Sequence, residues 1–256
     1  MLTIILSFVF SVSGWTLSTP MASSTARGEI IKKTKYLINY NEDHEVANWV
    51  EYTLEREFLQ NCTSRTNNFR VDPAVSTGSS TPADYKKSGY DRGHLVPAGD
   101  MKKTKQVMSE TFFMSNMTPQ PSRFNQVTWN KLEGLVRAWA KKYEKVWIIT
   151  GPILENNLPT IGQSNRVSIP KEYFKVLLRR EKNSYKGIGF LIPTTVPHNN
   201  IELYALSIRE IENYAQINFF RFLNKKEERI EEELDTSDWD FRASFEYLPC
   251  LTSGIQ

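Results

Sequence analysis

Residues 90–100 read YDRGHLVPAGD, and residues 122–142 downstream read SRFNQVTWNKLEGLVRAWAKK. The first stretch puts a carboxylate, a guanidinium and an imidazole into four positions, Asp91-Arg92-Gly93-His94. Alone that pattern is short, and a solitary histidine is as readily explained by a turn or a packed core as by chemistry. The second stretch carries Trp129, Leu132, Leu135, Val136 and Trp139 at helical spacing, which predicts an amphipathic helix over 123–142 capped by Ser122. On an even helix of roughly 100° per residue, Asn125, Glu133 and Arg137 form one polar stripe beside the apolar face. By periodicity alone that stripe is a solvated face with an i,i+4 ion pair.

Working outward, residues 35–40 (KYLINY) and 48–54 (NWVEYTL) read as strands joined by the polar turn NEDHE. Residues 61–89 are rich in Ser, Thr, Asn, Pro and Asp and read as a long irregular connection, the kind that is functional or disordered. Further strands are predicted at 146–150 (VWIIT), 173–178 (YFKVLL) and 187–192 (GIGFLI), and a second helix from Ser207. Strands cluster rather than alternate with helices, so the fold class is α+β, a mainly antiparallel central sheet flanked by helices. No linker divides the chain, giving one domain over 27–256.

The first 26 residues carry no Lys, Arg, Asp or Glu, and 2–12 form an apolar run too short to span a membrane. Small residues follow, as before a signal-peptidase cut, so 1–26 reads as an export leader, with a buried N-terminal strand as the alternative. Export gives a secreted or periplasmic protein; a mitochondrial location is the other reading. Cys62 and Cys250 form either one long-range disulfide or two unpaired thiols.

The 256 residues, 40 % hydrophobic and 24 % charged, suit a globular chain; two cysteines exclude a disulfide-rich scaffold and a multi-cysteine zinc site. The net charge of +3 hides an asymmetry: residues 225–240 carry −5 and residues 101–145 carry +6. A basic local field suits a polyanionic ligand, although solvated helix faces give the same statistics. His44 and His198 show no metal-ligand spacing and read as surface residues.

Several separated motifs, in order, resemble the DNA/RNA non-specific endonucleases of the ββα-metal, or His-Me finger, class. They are YDRGHLVPAGDM (90–101), SNMTPQ (115–120) and FNQVTWNKLE (124–133), supported by SRTNNFRVDP (64–73), PADYKKSGYDRGH (82–94) and ITGPIL (149–154). The likeness runs from about residue 35 to 223 and implies a ββα-metal active-site motif. Carried over, His94 resembles the general base, Asn125 the single protein ligand of Mg²⁺ (with Mn²⁺ or another divalent cation able to substitute), and Glu133 the carboxylate that orients metal-bound waters. Arg65, Arg92 and Arg137 occupy the positions of catalytic, phosphate-facing arginines. Asp91 and Gly93 read as architectural, and Asn116 as a buttress.

The resemblance implies a Mg²⁺-dependent endonuclease that hydrolyses phosphodiesters of DNA and RNA, single- or double-stranded, leaving 5′-phosphate ends. Groups that address phosphate, metal and water read no base edge, so low sequence preference is expected. No membrane partner is expected. A homodimer is compatible with the sequence, and no inhibitor protein is identified by it.

Overall fold

Along 173–178 alternate side chains face opposite sides of a sheet, and both sides are buried: Tyr173 and Leu177 on one, Phe174, Val176 and Leu178 on the other. A strand buried twice must lie inside a sheet with a layer on each face. The computed structural model, which describes residues 21–22, 28–195 and 200–251, has that arrangement. Its principal strands are β1 (Glu29–Lys32), β2 (Tyr36–Asn41), β3 (Val46–Glu55), β4 (Asp91–His94), β5 (Met117–Gln120), β6 (Lys145–Pro152), β7 (Glu172–Glu181), β8 (Ser184–Pro193) and β9 (Ala205–Leu206). Seven of them form one sheet in the order β9-β8-β7-β6-β3-β2-β1, every neighbouring pair antiparallel.

The α+β, mainly antiparallel reading therefore holds; the strand predicted at 35–40 starts one residue before β2, and the other predicted strands fall within β3, β6, β7 and β8. One face receives helix α1 (Asn130–Tyr143), whose Leu132, Leu135, Val136 and Trp139 are buried, as is Trp129 just before it. Burying each such side chain stabilises the layer by about 1.5–3 kcal/mol. The other face receives α2 (Ile208–Ala215), which starts at Ser207 as expected; Ser207 and Glu210 cap each other reciprocally.

The polar strands β4 and β5 stand apart from the large sheet as an antiparallel pair, His94 opposite Met117 and Gly93 opposite Thr118. This hairpin and the helix that follows β5 make the ββα unit.

Three details depart from the sequence reading. Ser122 does not cap the helix; its hydroxyl donates to Asp91 Oδ1 at 2.7 Å. Residues Phe124–Trp129 wind as a π turn, in which the Asn130 N–H reaches back five residues to the Asn125 carbonyl, so an even 100° per residue does not hold there. Within the connection 61–89, Pro82–Tyr85 is a short helix closed by a Thr81–Asp84 capping box.

Cys62 and Cys250 are joined, which settles the choice between a disulfide and free thiols. The expected leader lies outside the described residues, save Met21–Ala22, which pair with Ile217–Asn218. Among the described residues no helix is long and apolar enough to cross a membrane.

Candidate active site

Asp91, the first residue of β4, is where the ββα unit is tied together. Its Oδ1 accepts from Ser122, and its Oδ2 accepts from Asn125 Nδ2 at 2.9 Å and Gln126 Nε2 at 3.0 Å. Burial works against ionisation, but these three donors and neighbouring Arg92 outweigh it and hold the carboxyl below its ordinary range. The consequence for Asn125 is orientational. With its NH₂ committed to Asp91, the amide presents its oxygen to the cleft that the residue lines. The architectural reading of Asp91 is thereby given an atom-level form.

Gly93 is needed for space rather than backbone freedom. Its φ is not among the positive values, but a Cβ there would stand 2.2 Å from the Gln120 side chain, across the hairpin. Asn116 buttresses the chain beyond His94. Its Oδ1 accepts from Val96 N–H and its Nδ2 donates to the Val96 and Thr111 carbonyls, so its fully buried side chain is spent on holding the loop.

His94 ends β4, 7 % exposed, against two aromatic rings that also touch each other. Phe112 meets it edge-on at 4.9 Å and Phe69 at 5.8 Å. The same rings carry the arginines: Arg92 lies 4.0 Å over Phe69 and Arg65 lies 4.8 Å over Phe112. Imidazole, phenyl rings and guanidiniums are thus fixed relative to one another by packing and cation–π contact. Burial, reinforced by Arg65 and Arg92, lowers the His94 pKa to about 3, so the ring is neutral at neutral pH.

The far side of the cleft is a charged cluster. Arg137, buried, donates from Nη1 to Asp100 Oδ1 at 3.0 Å and lies 3.9 Å from Glu133. Asp100, fully buried, also accepts from Tyr52 at 2.8 Å. The Glu133 side chain is 14 % exposed. Burial pushes its carboxyl up to about 7, resisted by Arg137, Lys175 and Arg65 and aided by Asp100. Lys175, wholly buried in the middle of β7, lies 4.8 Å over the Trp129 ring, with no hydrogen-bond partner at Nζ among the described residues.

All six residues expected at the site line one cleft of about 350 Å³: Arg65, Arg92, His94, Asn125, Glu133 and Arg137. Arg137 sits deeper than a surface phosphate contact, with its charge directed at Asp100 and Glu133. Phe69, Phe112, Asp100, Lys175 and Tyr247, which also lines the cleft, were not expected. Phe69 and Asp100 do fall inside the recognised motifs; nothing in the local pattern distinguishes the other three.

Among the described residues no three His, Cys, Asp or Glu side chains gather as a metal cluster. The donor set fits a hard divalent ion held through one amide oxygen, that of Asn125, with Glu133 on the same cleft.

Residues 14–226 match the family model described as DNA/RNA non-specific endonuclease. The chain belongs to that family. It is a family of metal-dependent phosphodiester hydrolases, and the DNA/RNA non-specific endonuclease fold accounts for the ββα unit and the large antiparallel sheet. Nuclease C1 of Cunninghamella echinulata var. echinulata is 34 % identical over 218 residues, 77 % of this chain and 84 % of that protein. Human mitochondrial endonuclease G is 33 % identical over 205 residues, 75 % of this chain and 69 % of that protein. Mitochondrial nuclease EXOG of Danio rerio is 29 % identical over 210 residues; the aligned part covers 76 % of this chain and 61 % of that relative's length. Among solved structures, an EndoG/EndoGI complex superposes with a TM-score of 0.72 at 29 % identity, covering 78 % of this chain and 89 % of that one.

Proposed function

We propose that this protein is a divalent-metal-dependent, sugar-non-specific endonuclease that hydrolyses phosphodiesters of DNA and RNA and leaves 5′-phosphate ends. One observation carries the reading: a neutral histidine, an amide oxygen turned outward by an aspartate, and a half-buried carboxylate share one cleft with three arginines.

Arg65 and Arg92 receive the scissile phosphate, each on its aromatic support. His94 takes a proton from a water in the cleft as that oxygen attacks phosphorus, a role worth ~10²–10⁴ in rate. The bond from phosphorus to the 3′ oxygen breaks, that oxygen takes a proton from water and leaves as a hydroxyl, and phosphate stays on the 5′ side. Burial is the larger cause of the low His94 pKa, but a phosphodiester between the two guanidiniums offsets their share, and the imidazole gains basicity as substrate binds. Asn125 would hold Mg²⁺ or a similar cation, which supplies charge neutralisation at the phosphoryl and leaving oxygens. Glu133 orients water, and Arg137, braced by Asp100, fixes Glu133. None of these groups reads a base, which supports low sequence preference and a steep fall of affinity with salt.

The charge-poor segment 1–26 supports an export leader and a secreted or periplasmic protein. Mitochondrial relatives keep the other location in play, and N-terminal sequencing of the mature protein decides between them. For the chemistry, His94→Ala is the test: cleavage should fall at least 10²-fold while DNA binding persists. Turnover close to wild type would remove His94 from the mechanism.

A further inference from the structure

The family match ends at residue 226, yet the cleft is completed by a residue well beyond it, Tyr247. The segment that brings it there is a strap tied to the residues around Leu59 and to α1. Leu248 N–H donates to the Leu59 carbonyl at 2.9 Å, and Asn61 N–H donates to the Leu248 carbonyl at 3.0 Å. Lys141 on α1 holds the Glu246 carbonyl, and Trp139 holds that of Asp240. Two residues after Leu248 the strap is bonded to Cys62, which lies three residues before Arg65. A single covalent tie therefore fixes two segments that both reach the cleft.

Tyr247 is half-buried on that strap, and its position is specified from several sides. Its hydroxyl donates to the Gly99 carbonyl at 3.1 Å. The Lys102 ammonium lies 4.6 Å over its ring, and Phe245 packs against it at 4.7 Å, itself 5.6 Å from the Arg137 guanidinium. Gly99 has no room for a side chain because the Tyr247 hydroxyl and Arg137 Nη1 would stand 2.8 and 2.9 Å from its Cβ. The phenol and the guanidinium are thus immediate neighbours on the cleft wall.

We propose that the C-terminal strap is a wall of the substrate channel and that the Tyr247 ring contacts the nucleotide flanking the scissile phosphate. An aromatic surface suits a substrate of any sequence, because every base and sugar offers an apolar face to it. Cation-rich groups elsewhere in the cleft address phosphate, and Tyr247 adds a sequence-tolerant contact to what lies between phosphates. The proposal rests on the nuclease reading.

The test uses the full mature chain and a single-stranded DNA hexanucleotide, with cleavage and binding read separately. Tyr247→Ala and Tyr247→Leu are expected to raise KM about tenfold with kcat within twofold, and Tyr247→Phe to keep both. In a His94→Ala background with EDTA, the same substitutions should weaken binding of the labelled hexanucleotide by the same factors. A strap held only by packing would be rescued by Leu, and one held only by the Gly99 hydrogen bond would be lost with Phe; either pattern overturns the ring contact. Unchanged KM and Kd in Tyr247→Ala would overturn it as well. Failure of the nuclease reading shows separately, as a wild-type chain that binds the hexanucleotide without cutting it.

Discussion

Asp91 Oδ2 accepts a hydrogen bond from Asn125 Nδ2 at 2.9 Å, and that contact decides which atom of the amide the cleft receives. An asparagine that lost this partner could present nitrogen as readily as oxygen. Asp91→Ala is therefore expected to raise the Mg²⁺ concentration for half-maximal cleavage by about 10–100-fold, the usual effect of removing a group that orients a metal ligand. Titration of cleavage against Mg²⁺ checks it; an unchanged midpoint would mean that Asn125 is held some other way.

Two groups of the cleft have pKa values shifted in opposite directions, and only one falls in the working range. His94 is lowered to about 3 by burial and two arginines, so it stays neutral from about pH 5 upward. Glu133 is raised to about 7 by burial, so it loses its charge as pH falls through that value. An acidic limb in kcat/KM near pH 7 should thus belong to Glu133. In Glu133→Gln the residual activity should be lower and show no limb there, whereas a limb that survives would assign it to another group.

Lys175 favours the ionised form of Glu133 from beneath, without a hydrogen bond of its own among the described residues. Lys175→Met removes that attraction, and the acidic limb should move to higher pH. Because a buried ammonium is replaced by an apolar chain of similar length, the fold should tolerate the change. A limb that stays in place would separate Lys175 from the site's electrostatics.

Phe112 touches both His94 and Arg65, and so holds a base and a phosphate contact with one ring. Phe112→Leu keeps most of the buried volume at a cost under about 1.5 kcal/mol. It frees both partners to drift, and kcat should fall roughly tenfold with a small change in Tm. Equal kcat with a large drop in Tm would make the ring merely part of the core.

The Cys62–Cys250 bond spans 188 residues of sequence. Closing so long a loop limits the unfolded chain, and reduction should cost about 2–5 kcal/mol. Urea unfolding with and without a reductant measures this, and coincident curves would contradict it.

The large sheet and its two helices were legible because apolar periodicity is local: 173–178 and 129–139 declare their buried faces within a few residues. The convergence of His94 and Asn125 was not legible by period, since it depends on a hairpin tied to a helix through Asp91. The π turn over Phe124–Trp129 defeats an even angular reading, which is why the polar stripe looked like an ordinary solvated face. The motif resemblance supplied those residues instead. Lys175 reads as an outward residue in any alternating strand, and only a sheet covered on both faces reveals it as buried. Tyr247 reaches the cleft through a disulfide and a strap 148 residues away in sequence from Gly99, a separation no local pattern records.

The most direct measurement is cleavage of supercoiled plasmid and of RNA by the purified mature chain, with Mg²⁺ and with EDTA. Degradation of both substrates with Mg²⁺, and of neither with EDTA, is the expected result. Cleavage that persists in EDTA, or is confined to one sugar type, would contradict the account, as would a chain that shifts DNA on a gel and never cuts it.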